Sequence, residues 1–279
     1  MCQRLFRMAG IMTTQLNEDG GLARLTRSLD LLWGRDGKED DRPARGPKPA
    51  LTLQGIVEAG IRLANRDGLA ALSMRSLATE LGVGTMSLYR YVPGKAELIN
   101  LMVDHAFGPA SALPEEAEAP GSADWRRALE QIAEGSWELY TTNTWLIQVN
   151  QARPILGPNS MAGFDYALEA LSGLGLSGQE KVGVLVAIDN LVLGAARSHV
   201  LYQQAAQHSG VSDEEFWRTQ EPYMVRALED GVFSQIATLP EDSFSQEAAA
   251  SMRFGLTALL DGFASLIASR AATRPKRTP

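Results

Sequence analysis

The chain has 279 residues, 45% of them hydrophobic and 21% charged, with a net charge of −7, the balance of a globular protein long enough for two domains. A single cysteine, Cys2, excludes an internal disulfide framework and any CxxC metal spacing, and His105, His199 and His208 form no HExxH pair. No apolar run reaches the roughly 18–20 residues needed to cross a bilayer, and the first apolar stretch is broken by Arg7 and too short for a signal peptide, so a cytoplasmic protein without a membrane partner is expected.

Residues 1–50 read as an extension. Leu22, Leu25, Leu29 and Leu32, followed by Trp33, recur at spacings of 3 and 4 and predict a short amphipathic helix. The following stretch, 34–49, is charged and rich in Gly and Pro, the composition of a linker. Its end places Arg45 and Lys48 just before the next helix, where a basic arm can track a phosphate backbone or enter a minor groove. A solvated linker without contacts fits the same residues.

Residues 51–107 form the first domain. Thr52 is the expected N-cap of a helix through Asn65, with Ile56, Ala59, Ile61, Leu63 and Ala64 apolar. The stretch 73–95, SMRSLATELGVGTMSLYRYVPGK, then spells helix, tight turn and second helix. Ser73 can cap the first, Leu77 and Leu81 share a face, and Gly82 stops it. The second begins near Gly84 or Thr85 and turns Leu88 and Val92 inward. Thr85, Met86, Ser87, Tyr89, Arg90 and Tyr91 remain outside, a stripe of hydroxyls, aromatics and one arginine suited to a groove. An ordinary αα-hairpin satisfies the bare pattern equally. Pro93 and Gly94 break the chain, and Lys95 opens a further helix with Leu98, Ile99, Met102, Val103 and Phe107 as its stripe. Between residues 42 and 105 eight Lys/Arg face five Asp/Glu, a balance of +3, whereas residues 106–279 carry −9; a basic head on an acidic body suits DNA contact at one end.

After an acidic linker at 108–123, residues 124–270 read as helical throughout, with helices over 125–141, 145–151, 161–171, 179–207, 214–229 and 246–268, and a tail at 271–279. Val182, Leu185, Val186, Asp189, Leu193 and Ala196 lie near one face of the long helix. Phe254, Leu256, Leu259, Leu260, Phe263, Leu266 and Ile267 serve the last one. Trp137, Tyr140, Trp145, Gln148, Asn150, Phe164 and Tyr166, with Asn190, Arg197, His199 and Tyr202 on the long helix, combine aromatics and polar groups that can line an effector cavity; aromatic stripes also fill plain cores.

The segment 51–107, with Ile56, Ala59 and Ala64, the DGL turn at 67–69 and then LGVGTMSLYRYVPGKAELI, resembles the DNA-binding domain of the TetR family of bacterial transcriptional regulators. The string FGLTALLDGFASLI resembles the last helix of that family's regulatory domain, which pairs with the long helix before it into a four-helix dimer interface; two helices that simply fill the monomer core fit the same residues. The resemblance implies an all-α fold: an N-terminal three-helix helix-turn-helix domain and a C-terminal helical ligand-binding and dimerisation domain. It also implies a homodimer on double-stranded operator DNA and a small-molecule effector; no metal or cofactor is expected, because His105 does not fall at the position of the metal-ligating histidine of the tetracycline repressor. Carried onto this chain, it makes Ser73, Arg75, Thr85, Met86, Ser87, Tyr89, Arg90, Tyr91 and Lys95 candidate DNA contacts. Arg75 would reach a base edge; Tyr89, Tyr91 and Lys95 would reach phosphates. Met86 and Arg90 differ from the tetracycline repressor, so its operator does not carry over. A ligand-released repressor is the reading preferred here over a ligand-insensitive binder or an activator. An enzyme is not expected, since Asp213, Glu214 and Glu215 have no histidine partner and no strand–turn–helix nucleophile motif exists.

Overall fold

The computed structural model describes residues 18–34, 51–108, 124–229, 231–244 and 247–273. Arg45 and Lys48 lie outside the described residues, as does most of the 108–123 linker. Among the described residues every regular element is a helix.

In the head, α1 (Glu18–Leu32) precedes α2 (Leu53–Asp67), α3 (Met74–Glu80), α4 (Thr85–Tyr89) and α5 (Lys95–Ala106). Thr52 Oγ1 accepts from Gly55 N at 3.0 Å and opens α2 as its cap. Ser73 and Ser76 form a reciprocal capping box at α3, with Ser76 N to Ser73 Oγ at 3.0 Å and Ser73 N to Ser76 Oγ at 2.9 Å. Gly82 then takes φ +65°, a left-handed backbone that glycine adopts cheaply. Ile56, Ala59, Leu63, Leu77, Leu88, Val92, Leu98 and Met102 close one core over these helices. Val57 joins them, whereas Ile61 is only half-buried.

The expected leucine stripe on α1 is used at one end only. Leu31 and Leu32 pack against the core, while Leu22 and Leu25 are exposed. A polar contact fixes the helix instead: Asn100 Nδ2 of α5 donates to the buried Ser28 Oγ at 2.9 Å.

In the body, α6 (Trp125–Thr142) leads to a 3-10 turn (Thr144–Gln148), then α7 (Pro158–Ala170), α8 (Gly178–Ser209), α9 (Asp213–Glu229), α10 (Ser234–Ala237), a second 3-10 turn (Glu241–Phe244) and α11 (Ala248–Thr273). Three boundaries differ from the sequence expectation. The helix expected over 145–151 is a 3-10 turn, because Val149 is already extended. Helix α7 starts at Pro158, not Met161, since proline is pre-set for a first helical position and gives up only an N–H that would go unpaired. Helix α11 runs to Thr273, three residues into the stretch expected as tail.

Helix α8 packs against both α6 and α11. Its inward face is Val184, Leu185, Ile188, Val192, Ala196 and Val200. Of the face read from the sequence, Leu185 and Ala196 are buried within the chain, whereas Val186 is 50% exposed and Asp189 borders solvent. On α11 the buried positions are Met252, Leu256 and Leu260, while Phe254 is 76% exposed. Helix α8 is also long and apolar enough to match a membrane span by length and composition, contrary to the sequence reading, but it occupies a core position between packed helices. Helix α9 buries nothing: Phe216, Trp217, Tyr223, Met224 and Val225 all face outward.

Ion pairs tie α11 to its neighbours. Arg253 Nε meets Glu134 Oε1 of α6 at 2.6 Å, and Arg126 of α6 meets Asp261 at 2.8 Å. At the other end Arg270 Nε donates to Glu180 Oε1 at 2.8 Å, and Ser177 N donates to Glu180 Oε2 at 2.8 Å. The Ser177 backbone and hydroxyl bonds, then Arg270, hold the Glu180 carboxyl at about 2 against an ordinary 4.5. A carboxylate lowered on folding stabilises fully above its unfolded value and loses that contribution as pH falls to its folded one. Thermal melts across pH 5 to 2 should therefore show Glu180→Gln losing less of its melting temperature than the parent between about 4.5 and 2. Parallel curves would remove Glu180 from the acid response.

Candidate nucleic-acid interface

A short helix carries information to a surface only if its other face is anchored, and α4 is anchored at Leu88, with Val92 just beyond its end, both 0% exposed. The five residues of α4 leave Met86 77% and Tyr89 45% exposed on the opposite edge. Thr85 and Ser87 sit half-buried beside them, and Arg90 is exposed at the helix end. The two tyrosines divide their roles differently from the expectation that both lie outside. Tyr91 is half-buried and packs against the core, whereas Tyr89 is the open ring. Sequence spacing alone does not distinguish them, because α4 ends at Tyr89 and the chain turns before Tyr91.

Arg75 is exposed in the first turn of α3, beside the turn that brings α4 in. Ser73 is exposed too, but its hydroxyl already serves the capping box. Lys95 is half-buried and its Nζ donates to Leu69 O at 3.1 Å, tying the start of α5 to the turn after α2. An ammonium has three donors, so two remain for an anion. Arg66 is spent inside the head. It grips Asp67 with Nε at 3.0 Å and Nη2 at 2.9 Å, and Glu80 at 3.1 Å. These carboxylates raise its already high pKa further. The head's positive balance therefore rests on its other basic residues.

The expected effector residues fall into separate environments. Trp137 of α6 stacks obliquely on His199 of α8, ring centroids 5.5 Å apart. Trp145 is wholly buried, and its Nε1 has no hydrogen-bond partner among the described residues. Phe164 is 40% exposed on α7, and Asn190 and Arg197 are exposed on α8. Of the expected residues Tyr140 finds a partner, Asp189, that the sequence did not offer as an effector residue. The buried Tyr140 donates its hydroxyl to Asp189 Oδ1 at 3.0 Å. Packing around the Asp189 carboxyl raises its pKa above the ordinary range against the lowering effect of that bond, although the residue's outer edge meets solvent. An acid one step beyond a buried helical stripe, opposite a tyrosine, is the sequence signal for the pair. A separate open groove of about 310 Å³, lined by Glu58, Ile61, Arg62, His105, Ala106 and Asn143, lies between head and body; none of the expected effector residues lines it.

Two family models match the chain: "Bacterial regulatory proteins, tetR family" over residues 56–102, and "Tetracyclin repressor-like, C-terminal domain" over residues 117–267. The HTH-type transcriptional repressor DrrR1 of Streptomyces coeruleorubidus is 45% identical over 255 residues, covering 91% of this chain and 90% of its own. An HTH-type transcriptional regulator of Saccharopolyspora erythraea is 30% identical over 62% of this chain and 69% of its own. Among solved structures, apo ActR of Streptomyces coelicolor superposes with a TM-score of 0.57 at 22% identity, covering 82% of this chain and all of that one. ActR in complex with actinorhodin gives a TM-score of 0.56 at 22% identity, covering 80% and 99%. At these identities the structural likeness concerns the fold.

The two faces of α4 predict opposite responses to truncation. Leu88→Ala should cost about 2–5 kcal/mol in urea unfolding, as cavity formation does in a closed core. Met86→Ala should stay within about 0.5 kcal/mol of the parent. Equal losses would mean that α4 is turned otherwise.

Proposed function

Because the chain belongs to the TetR family of bacterial regulatory proteins, we propose that it is a transcriptional repressor that binds a two-fold symmetric operator as a homodimer and is released by a small-molecule effector. The observation that carries this reading is the anchored α4 with Met86, Tyr89 and Arg90 on its open edge beside the exposed Arg75. An edge of that kind meets a major groove, where arginine can take guanine O6 and N7 together and a tyrosine hydroxyl can take a phosphate. Repression itself is the activity named for the DrrR1 relative.

The dimer reading rests on surface the single chain leaves open. Val186, Leu201 and Tyr202 on α8 and Phe254 on α11 face outward beside Gly183, Gly194 and Gly262, where a side chain would meet nothing within 4 Å. Two such helix pairs can close on each other, and α9 with its five outward apolar side chains can close on the second copy. A dimer also supplies two heads for two half-sites. The effector is assigned to the contact of α6 with α8, where Trp137 packs on His199 and Tyr140 bonds Asp189; Trp145, Phe164, Asn190 and Arg197 stand in separate environments around it. Binding of actinorhodin by ActR supports a ligand-responsive body on this fold. The regulatory relatives favour a cytoplasmic regulator over an enzyme.

Selection from random duplex DNA followed by mobility shift at fixed salt tests the reading. An enriched inverted repeat is the expected product, and no preference over random DNA would sink it. In the same assay Arg75→Ala should lose roughly 1–3 kcal/mol and relax one base pair per half-site. Lys95→Ala should weaken all sequences alike and lower the salt slope by about one. The reverse pattern would exchange the two roles.

A further inference from the structure

We propose that Asp104 is a positioning residue that locks the reading head to the body at a set angle, with α1 bracing the same joint, and that this lock determines which half-site spacing the protein accepts. The inference rests on the reading of the chain as a two-headed operator-binding dimer. Asp104 falls between the two regions that the family models match, and α1 falls before both.

Asp104 stands in the last turn of α5 and is 3% exposed. Its Oδ1 accepts from Ser160 N at 2.9 Å and its Oδ2 from Asn159 N at 3.3 Å. Both donors belong to the first turn of α7, whose N–H groups have no partner within their own helix and whose dipole favours a negative charge. Asn159 Nδ2 returns a bond to Asp104 O at 3.3 Å. The two helices meet so closely that a Cβ at Gly157 would lie 2.3 Å from Asp104 Cγ. A glycine is therefore required at 157 by the carboxylate, and neither element can slide without breaking a buried bond.

Helix α1 reaches across this joint. Ser28 takes the bond from Asn100 of α5, and Arg27 lies 3.8 Å from Glu97 of the same helix, a carboxylate only 4% exposed. Just past the C-terminal end of α1, Trp33 Nε1 donates to Leu156 O at 3.1 Å, one residue before Gly157. One helix thus holds both the arm of the joint and the strand of chain that leads into it. A further link, Asn65 Nδ2 to Asn143 Oδ1 at 3.1 Å, joins α2 to the end of α6.

A head pivoting at this point swings α4 along the DNA axis. Half-sites one helical turn apart, or a multiple of it, require the two heads to be held at a matching separation. A stiff joint makes affinity fall steeply when the spacing is changed; a loose one lets each head find its half-site independently.

The test uses the full chain and duplexes bearing two inverted copies of the selected half-site, at the native spacing and with one or two base pairs inserted or removed, plus a single half-site. The parent should discriminate among spacings. Asp104→Asn, Asp104→Ala and Gly157→Ala should shrink the native-to-altered affinity ratio by on the order of fivefold or more while the single half-site affinity stays unchanged. A loss of folded protein lowers binding to every duplex by the same factor and leaves that ratio where it was. Should Asp104→Ala not fold, the isosteric Asp104→Asn carries the measurement. Parent-like ratios in the folded variants overturn the proposal while leaving the operator reading intact. A parent indifferent to spacing also overturns the lock, whereas a parent that binds the paired sites no better than the single half-site overturns the two-headed reading itself. Trp33→Phe keeps an aromatic side chain but removes the indole N–H, its bond to Leu156 and the pyrrole half of the ring. It should move the ratio the same way by a smaller factor, and no shift there overturns the bracing role of α1.

Discussion

Helix α5 must bury itself on three sides at once, and the relation of head to body depends on that demand. Leu98, Leu101 and Met102 meet the head core. Glu97 and Asp104 are buried as well, and a buried carboxylate is tolerable only when hydrogen-bonded or paired. Glu97 faces Arg27 of α1, and Asp104 faces the open N–H groups of α7. The two acids recruit the flanking helices, so the same helix that closes the reading head also fixes what lies behind it.

Charge elsewhere is spent on orientation more than on stability. The surface pairs Arg253–Glu134 and Arg126–Asp261 bind α11 to α6 in a geometry that solvent screens heavily, and exposed pairs of this kind contribute modestly. The stability of the body comes from the Val184, Ile188, Val192 and Ala196 face of α8, set against α6 and α11. Trp145 is the exception within that core. Its indole N–H is buried without a partner among the described residues, a cost of about 1–3 kcal/mol that the large apolar area of the ring offsets.

The apolar side chains of α9 and of the outer edges of α8 and α11 complete the physical picture. A single chain leaves Tyr223 78%, Phe254 76% and Val186 50% open to water. Such surface is unfavourable in isolation and favourable at an interface, which ties the dimeric state to the shape of the monomer. Head, joint and interface then form one mechanical path, from the exposed edge of α4 through α5 to α8 and α11.

Local chemistry could be read from the chain because its causes lie within a few residues. Thr52 and Ser73 cap the N–H groups next to them, Gly82 accepts a backbone that a Cβ resists, and Leu88 and Val92 share a face by their spacing of four. The helix-turn-helix and the all-helical body follow from such short-range rules. Faces and joints do not. The buried stripe of α8 depends on where α6 and α11 press against it. The choice between Tyr89 and Tyr91 depends on where a five-residue helix ends. Leu22 and Leu25 keep a helical period and still face water, because α5 meets α1 through Ser28. The role of Asp104 was not legible at all. Its partners, Asn159 and Ser160, are more than fifty residues away, and nothing at position 104 announces that a helix end will arrive there. Periodicity carries the identity of each element, whereas the packing angle between elements sets which side chains meet, and that angle is a property of the whole folded chain.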